Sequence, residues 1–136
     1  MWCNMSGNKA GVLSAVTLAI GVAAFSLAAE AGGGGGWYSK AQASKGQGLF
    51  NTFCAQCHRP DLSGAMGPAL KGNQFLGRFK TGEELYTYAS TKMPITNPGS
   101  VPDKYMIPIV AFILSENGLP GGAPLTKGNL DRPLKP

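Results

Sequence analysis

Apolar residues in this chain recur at helical spacing in three places and alternate at strand spacing nowhere. Residues 44–53 set a capping Ser44 ahead of apolar Leu49, Phe50 and Phe53, which predicts a short amphipathic helix running into Cys54. Thr81-Gly82-Glu83-Glu84 reads as a second helix start, with Thr81 as cap, Glu84 at the capping-box position, and Leu85, Tyr88 and Ala89 on one face. That helix must stop before Met93-Pro94, because proline disfavours helical geometry in the residue ahead of it. A third helix starts near Ser100, with Pro102 in its first turn and Asp103 following. It places Tyr105, Ile109, Phe112 and Ile113 at i, i+4, i+7 and i+8, and Asn117-Gly118 is its expected end. Pro108 removes one backbone bond inside it and is expected to bend the helix without breaking it.

The connections are long and irregular: residues 60–72, residues 93–99 and a tail from residue 119 to 136 with no periodicity. The pattern predicts a small all-α domain of three to four short helices with Gly/Pro-rich loops. Helices of about ten residues do not stand without tertiary packing, so these need a shared object to pack on. Composition sharpens that need. The chain holds 20 Gly and 10 Pro in 136 residues, and Leu, Ile, Val and Phe make up only about a fifth of residues 32–136, the edge of what usually folds. Charged residues at 14% are too few for a charge-swollen disordered chain. Collagen is excluded by the absence of a Gly period, and a multidomain enzyme by the length.

Net charge is +5, from 12 basic and 7 acidic residues. The basic residues form no run, which argues against a nucleic-acid patch and for a generally cationic surface suited to an acidic protein partner. Residues 10–29 contain no charge, Lys9 stands just ahead of them, and Ala29-Glu30-Ala31 has the small-x-small pattern of a signal-peptidase site. Residues 1–31 therefore read as a signal peptide or an uncleaved N-terminal membrane anchor, since twenty residues at about 1.5 Å each just span a bilayer. Either way the rest of the chain is delivered outside the cytoplasmic membrane, with residues 32–43 as a Gly-rich flexible linker. Cys3 precedes the apolar stretch, has no lipobox ahead of it, and reads as inert.

The chemistry lies in Cys54-Ala55-Gln56-Cys57-His58, the c-type haem attachment pattern. Two thiols at i and i+3, at a helix end, can add to the two vinyl groups of one porphyrin, and the adjacent imidazole then points at the iron. A zinc site needs four ligands, and His58 is the one histidine. A thiol-disulfide oxidoreductase needs its Cys-x-x-Cys at a strand-to-helix junction, and strands are missing from the pattern. With His58 on one face of the haem, a methionine thioether is the remaining candidate for the other, and His/Met ligation raises the reduction potential. Met66 lies too close to His58 in sequence to wrap the ring, and Met106 reads as core filler within the third helix. Met93, in a loop stiffened by Pro94, has ample chain to reach the opposite face.

With these residues in place, the chain over residues 44–118 resembles a class I cytochrome c. Gly46, Phe50, Cys54, Cys57 and His58 fall in the register of that family's N-terminal helix, Gly67-Pro68-Ala69-Leu70 matches its Gly-Pro-x-Leu stretch, and Met93-Pro94 matches its Met-Pro loop. The resemblance implies that the Pro68 carbonyl accepts the Nδ1 hydrogen of His58, that Leu70 packs on the ring, and that a C-terminal helix holding residues 109–113 crosses the first one. Gly46 then lets the two helices approach near Ile109 and Phe112. The stretches around Asn97-Pro98-Gly99-Ser100 and Asn117-Gly118-Leu119-Pro120 are similar to small cytochromes that accompany periplasmic quinoprotein dehydrogenases. Pro108 and the 119–136 tail depart from the family pattern.

A haem held by two protein ligands has no open position for substrate, which leaves single-electron transfer between redox partner proteins in the periplasm as the expected activity. Lys45, Arg59, Lys71 and Lys92 flank the haem-binding segments in sequence and suit the steering of acidic partners. An enzymatic alternative, with Met93 off the iron, lacks a distal acid-base group because no second histidine exists. A third reading makes the chain a tethered haem subunit of a respiratory, photosynthetic or dehydrogenase complex. If the apolar haem supplies core that the composition omits, Cys54→Ala/Cys57→Ala protein prepared without haem is largely unfolded; native-like helical circular dichroism from that variant would count against it.

Overall fold

The computed structural model describes residues 35–135, which fold as five α-helices and a short 3-10 turn with no strand among them. The signal peptide or anchor expected over residues 1–31 lies outside the described residues. Helix α1 runs Lys40–Phe53, α2 Ala55–His58, α3 Asn73–Leu76, α4 Gly82–Lys92 and α5 Asp103–Glu116. Three of these are the expected helices. The other two are four-residue turns that no periodicity can announce.

Helix α1 starts five residues ahead of its expected start. Its cap is Ser39, not Ser44: the Ser39 side chain accepts from the Gln42 N–H and the Gln42 side chain accepts from the Ser39 N–H, closing a capping box. The segment expected as a flexible linker through residue 43 is likewise ordered from Trp37, because the C-terminal tail returns alongside it. Trp37 and Tyr38 are buried, with the Trp37 N–H donating to the Pro120 carbonyl at 2.7 Å and the Gly122 N–H donating to the Tyr38 carbonyl at 2.8 Å. Both amide atoms of Gln42 also bond the Leu125 backbone, at 2.7 and 2.8 Å. The Arg132 guanidinium stacks 4.2 Å over the Trp37 ring and donates to the Gly36 carbonyl at 2.9 Å.

The tail has no helix beyond Lys127–Asn129, in keeping with its lack of periodicity, but it is packed. Leu125, Leu130 and Leu134 are each nearly inaccessible and belong to the same core as α5. The tail also answers the exposed N–H groups that every helix start leaves: the Gly82 and Glu83 N–H groups of α4 donate to the Arg132 and Leu130 carbonyls. Thr81 caps α4 as expected, accepting from the Glu84 N–H at 3.2 Å, while the Glu84 carboxylate accepts from the Lys80 N–H, one residue ahead of the capping-box position.

Helix α5 is the hub. Its expected single stripe is wider in the structure, and residues 108–114 are all buried, because α1, α4 and the tail cover it on different sides. It runs unbroken through Pro108 and ends at Asn117 and Gly118, the latter at φ 75°. Met106 is buried core, as its position implies. The crossing of α1 on α5 is set by Gly46: a Cβ built there would lie 1.8 Å from the Pro108 carbonyl oxygen and 2.9 Å from the Phe112 Cβ. One turn on, Phe50 packs on Phe112 with ring centroids 5.3 Å apart, and Phe53 stacks on Tyr105 at 5.9 Å.

Gly48, two residues along the same helix, faces open space. Gly46→Ala should therefore destabilise the protein by about 3 kcal/mol or more through overpacking, whereas Gly48→Ala should stabilise it by about 0.5–1 kcal/mol through helix propensity. Denaturant unfolding of the two holoproteins measures both, and equal effects would mean the helices do not meet at Gly46.

Candidate functional site

The site begins where α1 gives way. Cys54 leaves helical geometry at φ -124° and ψ -32°, and α2 restarts at Ala55 with the His58 N–H donating to the Cys54 carbonyl at 3.0 Å. Cys54 and Cys57 are free thiols, both half-buried, on one short turn. Burial, with Cys57 beside it, pushes the Cys54 thiol up to about 11. A low-pKa, thiolate-type redox cysteine needs the opposite shift.

After His58 the chain turns sharply. Arg59 sits at φ 61° and ψ 152°, a region that essentially only glycine visits without strain, and Leu62 is also left-handed at φ 61° while its side chain is fully buried. The surroundings hold both in place. The Gly64 N–H donates to the His58 carbonyl, the Ala65 and Gly67 N–H groups both donate to the Cys57 carbonyl, and the Leu70 N–H donates to the Leu62 carbonyl, all at 2.9 to 3.0 Å. The loop is thus laced back onto the turn that carries the two cysteines.

That lacing fixes the imidazole. His58 is 8% exposed, and its Nδ1 lies 2.8 Å from the Pro68 carbonyl oxygen. A carbonyl only accepts, so Nδ1 carries the hydrogen, and in the neutral ring Nε2 is then the nitrogen with the lone pair. Gly67 lies against the ring: a Cβ there would come within 2.6 Å of the His58 Cε1 and 2.8 Å of Nδ1. The structure therefore brings Cys54, Cys57, His58 and Pro68 together, and Leu70 lies half-buried at the end of the same loop.

Met93 sits on a different element. It is the half-buried residue that ends α4, in extended geometry at φ -114° and ψ 153°. Its carbonyl accepts from the Gly99 N–H at 3.1 Å, and the Pro94 carbonyl accepts from the Asn97 N–H at 3.0 Å, so a closed loop follows it. Of the other methionines, Met66 is 76% exposed and Met106 is 2% exposed. Lys45, Arg59, Lys71 and Lys92 are all exposed, and Lys71 forms an ion pair with Glu116 at 2.7 Å. Sequence reasoning gave Gly67 no role of its own beyond its motif, and read Asn117 as a helix end alone. Only the fold shows what either touches.

Two free thiols on one turn, beside an imidazole with a fixed tautomer and an available Nε2, are the donor set that a covalent haem requires, so the residues fit the group. The family model described as cytochrome c oxidase, cbb3-type, subunit III matches residues 41–113, more than half of the chain, and the chain belongs to this family. It is a c-type cytochrome with covalently bound haem c and its iron, and it works in haem-based electron transfer. No solved structure matches the chain significantly.

Gly67→Ala should push the His58 ring off the Pro68 carbonyl. We expect a loss of about 1–3 kcal/mol in denaturant unfolding together with an altered ferric optical spectrum, and an unchanged spectrum would show that Gly67 does not set the ring.

Proposed function

We propose that this protein is a monohaem, class I single-electron carrier whose iron cycles between Fe(III) and Fe(II). In this reading Cys54 and Cys57 carry the haem thioethers, His58 and Met93 are the axial iron ligands, and Pro68 and Leu70 line the pocket on the His58 side. The observation that carries it is the fixed tautomer of His58, whose Nδ1 is engaged by Pro68 at 2.8 Å and whose Nε2 is left for the iron. Met93 is favoured by its half-buried place at the end of α4, whereas Met66 is in water on the loop that already holds His58 and Met106 is committed to the α5 core.

The haem supplies the one-electron couple, and the chain does the rest. Two protein ligands close the iron to substrate. The Pro68 carbonyl orients the imidazole, and the apolar residues around α5 keep water from the interior. Lys45, Arg59 and Lys92 offer exposed cations to redox partner proteins with acidic docking surfaces, an attraction that weakens with salt. The carrier works in the periplasm, exported by residues 1–31, and the sequence similarity to small cytochromes of periplasmic quinoprotein dehydrogenases supports such an enzyme as its partner.

A second reading, a membrane-tethered haem subunit, is favoured by the family description itself, which names a subunit of an oxidase complex. Among the described residues no helix is long and apolar enough to cross a membrane, so tethering would fall to residues 1–31. Intact mass of the native protein separates the two: a start at Gly32 means a released carrier, and a start at Met1 means a tethered one.

The ligand assignment is tested by optical spectroscopy. The ferric protein should show the weak long-wavelength absorption of methionine-sulfur ligation, Met93→Ala should lose it, and Met66→Ala should keep it. Absence of the band from the wild type, or its survival in Met93→Ala, overturns the carrier reading.

A further inference from the structure

The end of helix α5 reaches across to the loop that holds His58. Asn117 follows the last helical residue, and its side chain makes three hydrogen bonds. Its Nδ2 donates to the Ile113 carbonyl at 2.8 Å, one turn back in its own helix, and to the Leu70 carbonyl at 2.8 Å; its Oδ1 accepts from the Gly72 N–H at 2.9 Å. A helix cap accounts for the first bond alone. The other two span 47 and 45 residues of sequence and grip both sides of Lys71, whose ammonium is itself tied to Glu116 next to Asn117.

The place gripped matters because of what the loop does between its two ends. At its start it is fastened to the Cys57 and His58 carbonyls by the Gly64, Ala65 and Gly67 N–H groups. At its finish the fastening is the Leu70 N–H on Leu62, together with Asn117. The Pro68 carbonyl that accepts from His58 Nδ1 lies between these anchors, two residues before Leu70. Pro68 has no N–H of its own with which to hold the loop. On its N-terminal side Gly67 is tied by both backbone groups, its N–H to the Cys57 carbonyl at 3.0 Å and its carbonyl to the Ala65 N–H at 2.9 Å, so the Pro68 carbonyl is set between those ties and the ones at Leu70 and Gly72.

We propose that Asn117 is a positioning residue for the haem iron: by pinning Leu70 and Gly72 to the end of α5, it holds the Pro68 carbonyl on His58 Nδ1 and so sets how strongly the imidazole donates to the metal. The proposal rests on His58 being an axial ligand, as read above. A firm Nδ1–H···O=C bond places negative charge on the ring, makes Nε2 a better donor and favours ferric iron. When the loop is released that bond lengthens, ferrous iron gains, and the reduction potential rises.

The test uses the full-length holoprotein with Asn117→Ala, compared with wild type and with Ser115→Ala. The Ser115 hydroxyl donates to the Phe112 carbonyl at 2.7 Å and bonds only its own helix, so this control weakens the end of α5 without touching the loop. Asn117→Ala should move the Fe(III)/Fe(II) ratio at a fixed ambient potential about 3-fold or more toward ferrous, about 28 mV at 59 mV per decade for one electron. It should also speed hydrogen exchange of the His58 Nδ1 proton, followed by NMR. Ser115→Ala should leave both at wild-type values, whatever its stability. Asn117→Asp keeps an acceptor for the Gly72 N–H and loses the donor to Leu70, so its Nδ1 exchange rate should fall between the two. Asn117→Ala protein with the wild-type potential and exchange rate, even if less stable, overturns the proposal and leaves Asn117 a helix cap. A failure of the ligand reading shows differently, as a wild-type ferric spectrum without the methionine-sulfur band.

Discussion

Helix α1 lies almost on the backbone of α5, and that approach places the Cys54–His58 turn that follows it. The contact is Gly46 on the Pro108 carbonyl, where a single methyl group would arrive at 1.8 Å. From that point the spacing of a helix does the rest. Phe50 falls on Phe112 one turn later and Phe53 on Tyr105 after that, and Cys54 follows at once. The close approach thus fixes the distance from the Cys54–His58 turn to α5, and through α5 the relation of that turn to α4 and Met93. Interiors packed to crystal density transmit such a constraint without slack.

The loop after His58 shows a second kind of constraint. Arg59 and Leu62 are held in left-handed backbone that neither side chain favours, which costs of order 1–3 kcal/mol each. Carbonyls of Cys57, His58 and Leu62 and the side chain of Asn117 hold the loop in that shape. Its result is a carbonyl aimed at one nitrogen of one histidine.

The C-terminal tail changes what the composition implied about the core. Residues 119–135 look like loop, yet they contribute Leu125, Leu130 and Leu134 to the interior, cover Trp37 and Tyr38, and supply carbonyls to the start of α4. They also bring Lys127 to Asp103 at 2.7 Å and over the Tyr86 ring at 5.5 Å, joining tail, α5 and α4 at the surface. That ion pair is exposed on both sides and contributes little stability by itself. The buried leucines are what hold the tail, and with it the N-terminal segment, against the helices.

The class of protein and of fold was legible in short spacings: two cysteines and a histidine within five residues, a Gly-Pro-x-Leu stretch, and three apolar periods, the first running into Cys54 and the other two ended by Pro94 and Gly118. Long-range contacts decided the rest. Whether Ser39 or Ser44 opens α1 depended on Gln42, which answers both the cap and the Leu125 backbone. Trp37 and Tyr38 read as linker because nothing nearby in sequence covers them; their cover comes from Pro120, Gly122 and Arg132. Asn117 reads as a helix end from its neighbours and becomes a clamp only when residues 70 and 72 are folded against it. Local patterns encode hydrogen bonds that close within a turn or two, whereas a bond across 45 residues exists only once the chain has packed, so its partners carry no signal until the tertiary structure brings them together.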